Sequence, residues 1–147
     1  SDLIYFVEDD YLHFENSLTD MINTYERVSS QIEKDIIICP CDYPFNYMSN
    51  EKTNILIGSN QHWRTVQKIL CTFMISKKML EKYWDNLIKT CEKRHDPFEK
   101  YINEILLNEI GISPINTLSI HLTNVNSSYG LSPFVDIKKL WDENNTS

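Results

Sequence analysis

The first ten residues hold the feature that most limits what this chain can fold into. Leu3-Ile4-Tyr5-Phe6-Val7 is an unbroken apolar run of strand length, and it stops at three consecutive carboxylates, Glu8-Asp9-Asp10. A run without polar alternation suits a strand covered on both faces, as in the middle of an α/β sheet. Open α/β sheets place their ligands just beyond the carboxyl ends of such strands. Three adjacent carboxylates repel one another there. A hard divalent ion such as Mg²⁺ or Mn²⁺ offsets that repulsion by taking one or two of them and filling its shell with water and substrate phosphates. An acidic loop capping the next helix satisfies the same residues, and both readings stand at this point.

Downstream, periodicity predicts a helix over 17–29, because Leu18, Met21, Ile22, Tyr25 and Val28 share one helical face. Asn16 or Ser17 is placed to cap it, and Asp20 falls in its first turn. A second buried strand spans 35–39 and is stopped by Pro40. Residues 42–53 read as a loop. β-like pieces follow at 54–57 and 69–75, with 58–67 connecting or extending them. Helices are expected over 77–91 and from Pro97 to about residue 108. A short strand at 117–121, a polar loop over 123–130 and a short helix at 135–141 complete the order. The succession indicates a mixed α/β fold in one domain covering 1–147.

Charge and cysteines narrow the function classes. The net charge is −7 and the basic residues are scattered, so no patch is set up for a nucleic-acid backbone. No window carries the roughly 18 consecutive apolar residues of a membrane span, and no secretory leader is visible. The four cysteines, Cys39, Cys41, Cys71 and Cys91, form no framework of pairs. Reduced thiols in a chain whose residues are 41% hydrophobic suit a cytoplasmic protein.

Four further positions carry chemistry-bearing side chains. His121 ends a predicted strand beside a polar loop, where imidazole suits Mn²⁺ or a structural hydrogen bond. In His62-Trp63-Arg64-Thr65, Arg64 offers a planar fork for a diphosphate and Trp63 a face for a sugar; a core Trp beside an exposed Arg is the plainer reading. In His95-Asp96-Pro97-Phe98-Glu99, the Asp96 and Glu99 spacing fits a capping box, and either carboxylate suits a general base. Cys39-Pro-Cys41 with a histidine is a weak zinc set.

Taken in order, these segments resemble bacterial and large-virus glycosyltransferases of the GT-A fold. The matching pieces are Tyr5-Phe6-Val7-Glu8-Asp9-Asp10-Tyr11-Leu12-His13, Cys41-Asp42-Tyr43-Pro44, His62-Trp63-Arg64-Thr65, Thr72-Phe73-Met74, Ser113-Pro114-Ile115, Ile120-His121 and Leu131-Ser132-Pro133-Phe134-Val135-Asp136. They reach over nearly the whole chain. The resemblance implies a GT-A-like mixed sheet flanked by helices, with Glu8-Asp9-Asp10 as the DxD-type motif. Asp10 and His121 would then hold the metal. Glu8, Asp9 and Arg64 would face the donor, and Asp96 or Glu99 would be the base of an inverting enzyme. Tyr43, Phe45, Tyr47 and Trp63 would form an acceptor platform. The chain departs from the family in two places. The motif begins at residue 8, so the nucleotide-binding βαβ region that precedes it in the family is expected elsewhere, in a missing N-terminal part or another chain. After His121 the family's charged stretch is replaced by Leu122-Thr123-Asn124-Val125-Asn126.

The function this implies is metal-dependent transfer of a sugar from a nucleoside diphosphate sugar to a glycan or other hydroxyl acceptor. The rival is a non-catalytic glycan-binding or assembly module derived from such a fold. A zinc-binding interaction domain comes third.

Overall fold

A computed structural model describes residues 2–92, 99–126, 131–133 and 135–145. Eight strands and five helices are described: β1 (Leu3–Phe6), β2 (Tyr11–His13), α1 (Ser17–Ile32), β3 (Ile36–Ile38), β4 (Ile55–Ile57), β5 (His62–Val66), β6 (Phe73–Ser76), α2 (Lys77–Lys82), α3 (Trp84–Glu92), α4 (Lys100–Ile105), β7 (Ile110–Pro114), β8 (Ser119–His121) and α5 (Ile137–Asn144). Six strands form one sheet in the order β1-β6-β3-β7-β5-β4, and β2 pairs with β8 in a second, two-stranded sheet. In the larger sheet only β3 and β7 run parallel; the other pairs are antiparallel. The fold is mixed α/β.

Strand alternation divides the core into two layers. Ile36, Ile38 and Met74 join Met21, Tyr25 and Val28 of α1 on one face, together with Trp63 and Ile112. Ile37, Phe73 and Ile75 point the other way and meet Met79, Ile102, Ile105 and Leu106. The helices α2 to α4 therefore cover the face that α1 does not. The isoleucine triplet of β3 is fully buried because both of its faces are covered, as an unbroken apolar run requires.

Several expectations are corrected in detail. β1 lies at an edge of the sheet among the described residues and is half-buried, not central. The helix expected over 17–29 runs to Ile32, whose side chain extends the core-facing stripe by one more turn. Asn16 occupies its N-cap position without a side-chain capping bond; Ser17 instead donates its hydroxyl to the carbonyls of Phe14 and Leu118. The helix expected over 77–91 is two helices, α2 and α3, parted at Tyr83. Residues 62–66 are a true strand, and β7 is a central strand that the sequence reading passed over. Pro97 and the proposed Asp96 cap lie outside the described residues.

Candidate functional site

The carboxylate run leaves β1 through a turn at Asp9 and Asp10. The Glu8 N–H donates to Thr72 Oγ1 at 3.0 Å, which fastens the turn to the chain entering β6. Tyr11 then opens β2, where it lies opposite His121 in the antiparallel register with β8. The Leu122 N–H closes the end of this ribbon on the Asp10 carbonyl at 2.9 Å. The outcome is a direct contact between residues 111 apart in sequence: Asp10 Oδ2 lies 2.7 Å from His121 Nε2. Thr123 Oγ1 approaches the same carboxylate oxygen at 3.4 Å.

The imidazole is held from behind. Tyr11 stacks on it with ring centroids 4.7 Å apart and planes at 12°. The Tyr11 hydroxyl in turn meets the Tyr43 hydroxyl at 2.6 Å. A carboxylate facing Nε2 selects the tautomer with its proton there. Nδ1 is then a buried acceptor with no donor among the described residues. A metal ion at Nε2 requires the proton on Nδ1 instead, so an ion and the hydrogen bond to Asp10 compete for the same nitrogen. The spacing suits an ion well. Adjacent ligands of an octahedral ion at 2.0–2.1 Å stand about 3.0 Å apart, close to the separation of these two atoms. Asp10 keeps 40% of its side chain exposed, leaving room for water or phosphate ligands. Asp10 and His121 therefore fit a divalent ion that takes two protein ligands and draws the rest from outside. Among the described residues no group of three or more His, Cys, Asp or Glu side chains converges on one point.

Two more carboxylates belong to this region. Burial pushes the Glu8 carboxyl up from its ordinary value, with Asp10, Glu99 and Asp9 adding to the rise and His121 opposing it. Burial also pushes the Cys71 thiol up to about 12, again with Glu8 and Glu99 contributing. The Glu8 shift places Glu99 within electrostatic reach of Glu8, and the Cys71 shift places both within reach of Cys71. Glu99 sits at the N-cap of α4 but makes no side-chain capping bond. It borders an open cleft of about 550 Å³ with Phe45, Asn46, Lys68 and Asn103.

The remaining predicted residues do other work. The Arg64 guanidinium is paired with Asp42 inside the protein and lies over the Tyr47 ring, 4.3 Å from its centroid. The Arg64 side chain is 9% exposed, so the fork is not open to a diphosphate from solvent in this arrangement, although Nε is buried without a partner among the described residues. Trp63 is fully buried in the core against α1 and offers no face to solvent. Tyr43 is also fully buried and supports Tyr11 and Phe45, whose ring stacks on it at 5.0 Å. Tyr47 is the exposed member of the expected aromatic platform. Cys39 and Cys41 are buried free thiols. Asp96 lies outside the described residues. Tyr11, Thr72 and Thr123 join the site without any role expected for them from the sequence. A tyrosine directly after the carboxylates, on a strand pairing with the histidine strand, was the available signal for the first.

Among the described residues no helix is long and apolar enough to cross a membrane. Compared with protein-family models, with curated proteins and with solved structures, the chain matches none.

Proposed function

We propose that the chain is the metal- and acceptor-binding part of a glycosyltransferase that moves a sugar from a nucleoside diphosphate sugar to an acceptor hydroxyl. The observation that carries the reading is the Asp10–His121 pair at 2.7 Å, assembled from the turn after β1 and the end of β8. Asp10 and His121 would hold Mn²⁺ or Mg²⁺, and the ion would supply Lewis-acid neutralisation of the leaving diphosphate. Tyr11 and Tyr43 fix the ring that binds it. Glu99, on the wall of the larger cleft, takes the proton from the acceptor hydroxyl as general base. A base facing the acceptor implies inversion at the anomeric carbon. Glu8 orients the hydroxyl from the other side.

A second reading, a non-catalytic assembly or glycan-binding module, draws support from the loss of donor-binding groups. Arg64 and Trp63 are both taken up by the fold, which also removes Trp63 as a glycan-stacking face.

Calorimetric titration of UDP, with and without Mn²⁺, separates the two. The transferase reading expects UDP to bind through its diphosphate in a Mn²⁺-dependent way, without need of the nucleotide-binding region expected elsewhere. That binding should weaken at least tenfold in both Asp10→Asn and His121→Ala. UDP binding that ignores Mn²⁺ in the wild type, or survives both substitutions, would overturn it.

A further inference from the structure

Beside Glu8 lies a second cavity, of about 360 Å³ and different in character from the cleft at Glu99. Phe6 and Phe73 from the sheet, Leu80 and Leu87 from the covering helices, and Ile102 of α4 form its walls. Among the described residues Glu8 is the one charged group lining it. The hydroxyl of Thr90, which also faces it, is engaged with the Asn86 carbonyl at 3.3 Å. At its mouth Trp84 is 53% exposed and Ile88 37% exposed, so large apolar surface stands in water. We propose that this cavity seats the apolar end of the acceptor, which makes the acceptor a hydroxyl-headed amphiphile whose hydroxyl sits at Glu8.

Size and charge select this occupant. The volume lies near the lower end of small-molecule pockets and is too small for a partner helix with its side chains. The walls are apolar, and a sugar alone would leave its hydroxyls there without partners. Asp9 and Asp10 follow Glu8 directly in the chain, so negative charge gathers at the Glu8 end, which disfavours an anionic amphiphile such as a fatty acid or a lipid phosphate. A neutral hydroxyl, donating to a carboxylate, is the head group that suits that end. The segment Ile69-Leu70-Cys71 and α4 separate this cavity from the Glu99 cleft, because Ile69, Leu70 and Asn103 line one while Cys71 and Ile102 line the other. A molecule with its apolar tail here therefore carries its hydroxyl to Glu8, on the turn that also holds Asp10.

This inference rests on the transferase reading for the word acceptor, but its test does not. The probes are n-octyl β-D-glucoside below its micelle concentration and methyl β-D-glucoside, each titrated into the chain by calorimetry and by tryptophan fluorescence. The octyl glucoside is expected to bind at least tenfold more tightly, since each buried methylene adds to affinity. Its fluorescence change should vanish in Trp84→Phe while calorimetric binding persists, and the preference for the octyl chain should disappear in Ile88→Asp. Alkylation of Cys91, an exposed thiol that also lines the cavity, supplies a check on the unaltered chain: octyl but not methyl glucoside should slow it. Equal affinity for the two glucosides, or an octyl preference that survives Ile88→Asp, would overturn the inference. Octyl preference without Mn²⁺-dependent UDP binding would sink the transferase reading and leave the cavity an amphiphile site. The converse would sink this inference alone.

Discussion

Among the described residues Asp42 and Arg64 are the charged pair most deeply committed to the fold. Asp42 follows β3 by four residues, and its carboxylate accepts from Arg64, from the Tyr47 hydroxyl at 2.7 Å and from Ser132 Oγ at 2.6 Å. Burial pushes this carboxyl up, while Ser132, Tyr47 and Arg64 pull it back. Removing one partner of such a pair strands the other charge in the interior, which is worse than having neither. Asp42→Ala is therefore expected to cost about 3–5 kcal/mol, read from urea unfolding. The double change Asp42→Leu with Arg64→Met should recover most of that loss. If the double variant is as unstable as the single, the pair's worth lies in its neutral donors, Tyr47 and Ser132, and not in its charges. The same geometry explains why the sequence leaves Arg64 open: a fork suited to phosphate is equally suited to an internal carboxylate, nothing in His62-Trp63-Arg64-Thr65 tells which it meets, and Arg64 is buried where the plainer expectation had it exposed.

At the scale of elements, the β4–β5 hairpin shows a register fixed by packing. Ile55 pairs with Arg64 and Ile57 with His62, and the Gly58 N–H closes the turn on the Gln61 carbonyl at 2.9 Å. A Cβ on Gly58 would stand 2.2 Å from the Trp63 ring. That ring is fully buried and cannot swing aside, so Gly58→Ala should cost about 1–3 kcal/mol as overpacking. Thermal unfolding followed by tryptophan emission would show both the lower midpoint and the disturbed Trp63. An unchanged midpoint would mean that the turn shifts as a body. Elements with a full period of apolar residues, such as α1 and β3, were legible in the sequence. β7 was not: Ile110-Gly111-Ile112-Ser113-Pro114 carries a glycine and a proline that resemble turn signals. Gly111 is there because a Cβ would stand 2.6 Å from Leu106 and 3.3 Å from the Val66 carbonyl, a packing fact that no local pattern encodes.

Across the whole molecule, the candidate site depends on how the small β2–β8 sheet sits against the large one. The sequence marked both ends of that dependence, the carboxylates after β1 and the histidine at the end of β8, because each follows a run of strand type. It could not show that they touch, since contact across 111 residues is a property of topology. One polar link between the sheets is Tyr5 of β1, whose hydroxyl meets His13 Nε2 of β2 at 2.5 Å. The rings pack edge to face with centroids 5.7 Å apart. Burial pushes the His13 pKa below its ordinary value of 6.5. Between the lowered value and 6.5 the unfolded chain binds a proton that the folded chain refuses, so stability rises with pH through that window. Read downward, folding should weaken as pH falls from about 7 toward the lowered value and then level off as far as His13 is concerned. His13→Gln keeps a partner for Tyr5 and removes the titration, so its urea midpoint should fall less than the wild type's between pH 7.5 and 5. Equal falls in the two proteins would assign the acid sensitivity to groups other than His13. If His13 carries it, mild acid loosens the contact that seats the metal-binding ribbon on the main sheet, and Mn²⁺ binding should weaken over the same pH range in the wild type more than in the variant.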